Sequence, residues 1–393
     1  MPSIRDLAHT ETLAAIRRHL TTQRILEDAI TVQQIPAPTF AEADRATFIR
    51  ERFERHGLQD IHIDDVHNVY GRWPGGTPDS PALLVSAHTD TVFPAETDLS
   101  VRTEQDRVSG PGLGDNSLGV AGLLALLEVL DTFQLHPAAD VWFAANSREE
   151  GLGDLGGIRA IWQALGARLG AAIVVEGMAL GRIYHAGIAV RRLHITCEAP
   201  GGHSWLHFGQ PSATHGLMAL GARIIALTPP SQPRTTYNIG LLKGGHSVNS
   251  LATSAELYLD LRSEDPGMLA ALEDEVRQAV DAVQHPKLKF SINIVGDRPA
   301  GRINLDHPLV TLAASALDMI SHTPVYEIGS TDANFLLANG LPTVTIGISY
   351  GGHAHRLDEY IETRPIADGT WQLVLLALAA VDDLRHWPKP GEA

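Results

Sequence analysis

Five stretches of the chain end in, or run shortly into, side chains able to hold a metal ion: His88, Asp115, the pair Glu149-Glu150, Glu176 and His355. Four follow apolar runs of strand character. Ala82 to Ala87 precedes His88, Val141 to Ala145 the glutamate pair, Ala172 to Val175 Glu176, and Val344 to Ile348 His355. The fifth, Asp115, closes the run Gly110-Pro111-Gly112-Leu113-Gly114. Ligands of open α/β sheets gather just beyond the carboxyl ends of the strands. Two histidines and three carboxylates there, with one glutamate to spare, are what a two-metal hydrolytic site requires. The expected chemistry is metal-assisted hydrolysis.

Each signal is ordinary alone. In an extended segment residues two apart face the same side, so Asp90 of His88-Thr89-Asp90 can reach the imidazole nitrogen that does not bind metal and fix the tautomer. An isolated His-x-Asp also fits a hydrogen-bonded strand end. The glycines before Asp115 permit close backbone approach, yet Asp115, Asn116 and Ser117 also suit the cap of a helix running from Leu118 to Phe133. Glu149 and Glu150 would repel each other unless a cation lies nearby. Adjacent side chains point differently, so one can bind metal while the other faces a water. In Gly351-Gly352-His353-Ala354-His355 both histidines are candidates.

The elements that must position these residues read as an α/β protein. Helical and strand patterns alternate from about residue 10 to 190, as in a mostly parallel sheet. Thr39 to Gly57 reads as a helix, and Gly71 to Pro81 as a Gly/Pro-rich loop feeding the strand before His88. From about 187 the texture becomes half-exposed strands (190–198, 255–262, 288–295) and helices (212–227, 268–283), a β-α-β-β-α-β-like run of small-domain size. After Gly301 the first texture returns. The expectation is a catalytic domain of residues 1–186 and 302–393, with a smaller α+β domain, 187–301, inserted.

Composition narrows the class. Basic residues number 30 and acidic residues 46, a formal net charge of −16, so nucleic acid and anionic membrane surfaces are not expected partners. The single cysteine, Cys197, rules out an internal disulfide framework and a thiolate zinc cluster, and reads as a small buried hydrophobe. Residues 1–20 mix charges with apolar residues like an amphipathic helix rather than a signal peptide. No run approaches the ~20 consecutive apolar residues of a membrane span. A cytoplasmic location is expected.

Taken in order, the motifs His-x-Asp, Gly-x-x-Asp, Glu-Glu, a strand-end Glu and a late His before Glu359-Tyr360-Ile361 resemble the two-zinc exopeptidases and deacylases that include aminoacylase, glutamate carboxypeptidase, succinyl-diaminopimelate desuccinylase and peptidase T. The likeness covers nearly the whole chain, and Glu149 to Leu155 looks most like the peptidase-T branch. It implies two divalent ions, zinc first, with cobalt or manganese as alternatives. Asp115 would bridge them, His88 and Glu176 completing one site, Glu150 and His355 the other. His353 stays the competing candidate at the last position. Glu149 would be the general base, Asp90 would orient His88, and a cis peptide would follow Asp115. The inserted domain would serve as lid and dimerisation surface. Its His203, in Gly201-Gly202-His203-Ser204, matches a histidine that in several members reaches a partner subunit's active site. Asn249 and Arg262 match positions that hold substrate, and Gly329 begins a pocket-lining segment. Trp205 departs from the glycine usual there, and Leu251-Ala252 replaces Ile-Pro, so the pocket is not carried over.

The implied activity is an exopeptidase cleaving short peptides with a free carboxylate, as a homodimer. An N-acyl-amino-acid deacylase is the alternative, since both cleave an amide beside a carboxylate. A catalytically inactive, metal-stabilised binding protein is disfavoured, because such a site needs neither Glu149 nor His203.

Overall fold

The computed structural model describes residues 10–77 and 80–387. The first nine residues of the amphipathic segment, His9 among them, lie outside the described residues. The chain divides into two compact units, one made of the residues up to Gly187 and from Gly301 onward, the other of Ile188–Ala300.

The first unit opens with helices α1 (Glu11–His19), α2 (Thr22–Gln33) and α3 (Ala43–Arg55) and strands β1 (Gln59–Ile63), β2 (Val69–Trp73) and β3 (Ala82–His88). The Thr10 hydroxyl caps α1 by accepting the Leu13 N–H at 3.2 Å, and Arg17, Arg18 and His19 complement its carboxyl end. There follow α4 (Leu118–Thr132), β4 (Val141–Asn146), α5 (Gly156–Leu165), β5 (Leu169–Glu176) and β6 (Arg182–Gly187).

The second unit runs β7 (Ala189–Glu198), α6 (Ala213–Ile225), β8 (Thr235–Gly244), β9 (Ser254–Ser263), α7 (Pro266–Asp281) and β10 (Lys289–Arg298). Its antiparallel sheet has the order β8-β9-β7-β10. Ala255, Leu257, Leu259 and Leu261 alternate into a core shared with Leu217, Leu220, Leu272 and Val276 of the two helices. This period-2 pattern is what a sheet covered on one face produces. Cys197 is buried in the same core.

The first unit then resumes with α8 (Pro308–Met319), β11 (Val325–Gly329), α9 (Ala333–Ala338), β12 (Thr343–Gly347) and α10 (Ile366–Asp383). Its main sheet has the order β1-β2-β4-β3-β5-β12-β6, with β11 alongside β6. The central pairs β4/β3, β3/β5 and β5/β12 are parallel, and β1/β2 and β2/β4 antiparallel. The fold is thus α/β with a mostly parallel core. Every residue of β3 and β4 is buried, so both faces are covered and the sequence shows unbroken apolar runs. Register puts His88 opposite Asn146, and Glu176 opposite Gly347. The carboxyl ends of the four parallel strands therefore finish together.

Helix α4 is apolar all round, with Leu118 to Leu130 entirely buried. The stretch Leu113–Thr132 is long and apolar enough to cross a bilayer, but it forms the core of this unit. Two local expectations change. Gly71 to Trp73 belong to β2, so the loop begins only after Trp73. Helix α3 starts at Ala43, because Pro38 bridges Thr91 and Phe40 adopts φ 77°, which no helix accommodates.

Candidate active site

Beyond these strand ends, His88, Asp115, Glu149, Glu150, Glu176 and His355 converge. His88 Nε2 lies 3.1 Å from Asp115 Oδ1 and 3.7 Å from Glu176 Oε2. On the other side His355 Nε2 lies 3.2 Å from Asp115 Oδ2 and 3.0 Å from Glu150 Oε1. Asp115 thus offers one oxygen to each histidine, the disposition of a bridging carboxylate. Three sets of side chains bring their donor atoms within 4.8 Å of one another: His88-Asp115-Glu176, Asp115-Glu150-His355 and His88-Glu149-Glu150. His353 instead faces Asp358, Nδ1 to Oδ2 at 3.0 Å.

The loop carrying Asp115 is held from three directions. Gly112 takes φ 70°, a left-handed turn that suits glycine. Gly177, just after Glu176, meets Gly114 so closely that a Cβ there would lie 2.0 Å from the Gly114 carbonyl oxygen. Buried Glu359 accepts the N–H groups of Gly114 and Asp115 on Oε1 at 2.7 and 2.9 Å. The Asp115-Asn116 peptide is cis. Capping of α4, expected from Asp115 to Ser117, is absent: Asn116 Nδ2 donates to the Val175 carbonyl at 2.8 Å and Ser117 Oγ to the Gly112 carbonyl at 2.7 Å. Both side chains tie the loop to its surroundings rather than to the helix.

Asp90 serves a wider purpose than orienting His88. The His88 Nδ1 lies 3.1 Å from the main-chain oxygen of Asp90 and 3.6 Å from its carboxylate. That carboxylate accepts the Glu149 N–H at 2.8 Å, the Glu150 N–H at 3.0 Å and the Thr39 hydroxyl at 2.8 Å. Asp90 therefore anchors the backbone of the glutamate pair to the exit of β3.

Residues 84–379 match the sequence pattern of peptidase family M20/M25/M40. The chain belongs to that family. Succinyl-diaminopimelate desuccinylase of Methylorubrum extorquens is 24% identical over 357 residues, covering 83% of this chain and 91% of the relative. Among solved structures, aminopeptidase PepT from Bacillus cereus superposes with a TM-score of 0.71 at 19% identity, covering 91% of this chain and 98% of its own. The dipeptidase Dug1p from Saccharomyces cerevisiae reaches 0.76 at 14% identity, over 96% and 99%. The protein is an M20-family hydrolase of the peptidase and deacylase type.

The family is metal-dependent, and the donor set here fits. Imidazole and carboxylate ligands with no sulfur suit a borderline divalent ion such as Zn²⁺, Co²⁺ or Mn²⁺, and four buried or half-buried acids crowded together call for positive charge. The electrostatics show that strain in the M20 site. Burial pushes Glu150 up to about 7, with the Asp115 charge adding to it and His355 opposing. Burial also raises Glu176, against the pull of His88. For Asp115 burial works upward, but hydrogen bonds from His355 and His88 outweigh it and hold the carboxyl well below its usual range. His355 is raised to about 10 by Asp115 and Glu150. His88 is raised despite its burial, by Asp115, Asp90 and Glu176. Burial pushes Glu359 up to about 7.

Asp332 closes the segment expected to line the pocket, three residues past Gly329 at the end of β11, but its burial is not legible in the sequence. It is fully buried and accepts the Asn146 Nδ2 at 2.6 Å. Burial and then the Glu149 charge raise its pKa well above the ordinary aspartate value. An Asp after Gly-Ser-Thr gives no sign of burial; the hydrogen bond from Asn146 shows that it reaches the end of β4 although β11 lies beyond β6 in the sheet.

The remaining candidates lie in the second unit. His203 belongs to a short strand, Gly202–His203, paired with Ser250–Leu251. Its Nδ1 accepts the Trp205 N–H at 3.1 Å, which leaves the proton on Nε2. Asn249 receives the Ser204 N–H on its main-chain oxygen at 3.0 Å and the Ser247 hydroxyl on Oδ1 at 2.6 Å. The first of these bonds ties the segment after His203 to the segment before Ser250. Arg262, on β9, directs Nε to Asp260 Oδ2 at 2.6 Å, and its side chain is 41% exposed. Trp205, Leu206 and Phe208 are exposed rather than packed in a core.

Proposed function

We propose that this M20 hydrolase is a dinuclear, zinc-type exopeptidase acting on short peptides that carry a free carboxylate. The observation that carries the reading is Asp115, whose two oxygens face His88 and His355 separately. His88, Asp115 and Glu176 would hold one ion, and Asp115, Glu150 and His355 the other. Bound there, the ions would polarise the scissile carbonyl and bring a water toward ionisation near neutral pH.

The chain's own residues supply the proton traffic and the positioning. Glu149 accepts the proton of the attacking water and returns it to the leaving nitrogen. Its backbone is fixed by Asp90, so the carboxylate is presented without a search over main-chain conformations. His203 offers an Nε2–H donor to the oxygen of the tetrahedral centre, in its own chain or in a partner's site. Arg262 clamps the substrate carboxylate, with Asp260 holding the guanidinium until substrate arrives. Asn249 and the segment from Gly329 complete the substrate contacts. The second unit acts as lid and as the surface of a homodimer.

A deacylase reading is favoured by one finding: a relative spanning most of this chain is named a succinyl-diaminopimelate desuccinylase. A substrate panel separates the two. Di- and tripeptides, their C-terminal amides, and N-acetyl and N-succinyl amino acids are assayed with added Zn²⁺, Co²⁺ or Mn²⁺. Faster cleavage of free-acid peptides supports the exopeptidase; cleavage of the acyl amino acids alone would replace it with the deacylase. Arg262→Ala should abolish the preference for acids over amides, and a wild-type enzyme blind to that difference would refute the clamp.

A further inference from the structure

The first turn of α3 supplies a buried cation that the chemistry described so far does not use. Arg45 is 2% exposed. Its Nη1 donates to the Thr89 carbonyl at 2.5 Å, its Nη2 to the Ile35 carbonyl at 2.5 Å, and its Nε to the same Ile35 oxygen at 3.0 Å. Both acceptors are main-chain oxygens, and among the described residues no carboxylate lies within ion-pair distance. Burial lowers the Arg45 pKa to about 10, with the charges of Asp90 and Glu42 opposing it, and an apolar side chain of similar volume would fill the same space at lower cost. The charge therefore has a use other than packing.

That use lies one residue away. Thr89 separates His88 from Asp90, so Arg45 grips the middle of the strand exit that carries both. Asp90 is itself fully buried and holds the Glu149 and Glu150 amides on its two oxygens. The same helix start contributes Glu42, whose Oε1 accepts the Arg148 N–H at 3.2 Å. One helical turn thus touches both strand exits that form the site, residues 88–90 and 148–150.

We propose that Arg45 is a positioning residue, which acts through Thr89 and Asp90 to set where the Glu149-Glu150 backbone stands relative to His88. The proposal rests on the reading of Glu149 as proton acceptor and Glu150 as metal ligand. Outer partners of this kind are worth about 10–100-fold in metal affinity or activity.

The test is a double-mutant cycle with Arg45→Met and Asp90→Asn, read in kcat, in KM and in Co²⁺ affinity of the chelated protein by calorimetry. Each single variant should lose about 10–100-fold in kcat or Co²⁺ affinity, with KM changed little. The double variant should be no worse than Asp90→Asn alone, because both changes remove one device. Arg45→Lys, which keeps the charge but not the planar fork, should fall between wild type and Arg45→Met. Additive losses, or wild-type kcat and Co²⁺ affinity in Arg45→Met, would overturn the proposal. So would failure of both Arg45 variants to fold, which would assign the residue to the core. If the wild-type protein cleaves none of the substrates, the hydrolytic reading fails, while the Co²⁺ cycle still decides the role of Arg45.

Discussion

At the scale of single residues, the account turns on a division of labour between two adjacent carboxylates. Glu150 shares His355 with Asp115, whereas Glu149 joins a donor set, among the described residues, with His88 and Glu150. Glu149→Gln should therefore lose most of kcat yet still bind two ions per chain, and Glu150→Gln should lose metal together with rate; elemental analysis beside the assay distinguishes them. Asp332 yields a pH prediction. Its pKa is raised in the folded protein, so the folded state holds a proton that the unfolded state releases. The stability this acid contributes is full below the unfolded value near 3.9 and is lost as pH rises through the folded value. Asp332→Asn removes that loss. In chelated protein the variant should gain on wild type as pH rises above the ordinary aspartate range, measured by urea unfolding. A pH-independent difference would show that Asp332 is ionised in place. His88, Glu149, Glu150, Glu176 and His355 are flagged in the sequence by the buried apolar runs before them, and Asp115 by the glycine-rich loop that it closes. Glu359, Asp332 and Arg45 are not, since their burial arises from tertiary neighbours far along the chain.

At the scale of elements, the site depends on one helix and one loop that share backbone contacts. A Cβ on Gly119, in the first turn of α4, would lie 2.1 Å from Asn116 Oδ1 and 2.7 Å from the Val175 carbonyl. Gly119→Ala should therefore destabilise the protein by about 1–3 kcal/mol, the usual cost of overpacking, and weaken metal binding, because Asn116 ties the Asp115 loop to the end of β5. A thermal shift without any loss of Co²⁺ affinity would separate the helix from the site. Glu359→Ala leaves the Gly114 and Asp115 N–H groups without their acceptor, at about 1–3 kcal/mol each. Glu359→Gln, which keeps an acceptor oxygen, should recover most of that loss in urea unfolding. The central strands declare themselves by unbroken apolar runs and α4 by its length. Strands β1 and β8 do not: β1 is an edge strand with exposed residues at both ends, and β8 is an edge strand exposed along its second half and broken by Gly240 and Gly244. Neither has a buried face continuous enough to set a period.

At the scale of the whole molecule, the two compact units carry different parts of the proposed machinery: metal donors and Glu149 in one, His203, Asn249 and Arg262 in the other. The inserted unit is readable as a change of texture near residue 187, because its one-sided sheet alternates where the catalytic sheet does not. Its role comes from the family resemblance alone, since by residue type His203 and Arg262 look like any surface histidine and arginine. If His203 acts across a dimer, mixing His203→Ala with Glu149→Gln subunits should restore activity that neither variant has alone, and verified heterodimers without recovery would leave His203 acting within its own chain or not at all. All of these readings presuppose two ions held about Asp115. The direct measurement is to strip the protein with chelator, titrate Zn²⁺ back with elemental analysis, and follow peptide hydrolysis at each step. The account predicts no hydrolysis in the stripped protein, recovery on adding metal, and saturation at two ions per chain, with Asp115→Ala unable to hold both. Full hydrolysis by metal-free protein, or undiminished two-ion binding by Asp115→Ala, would contradict it.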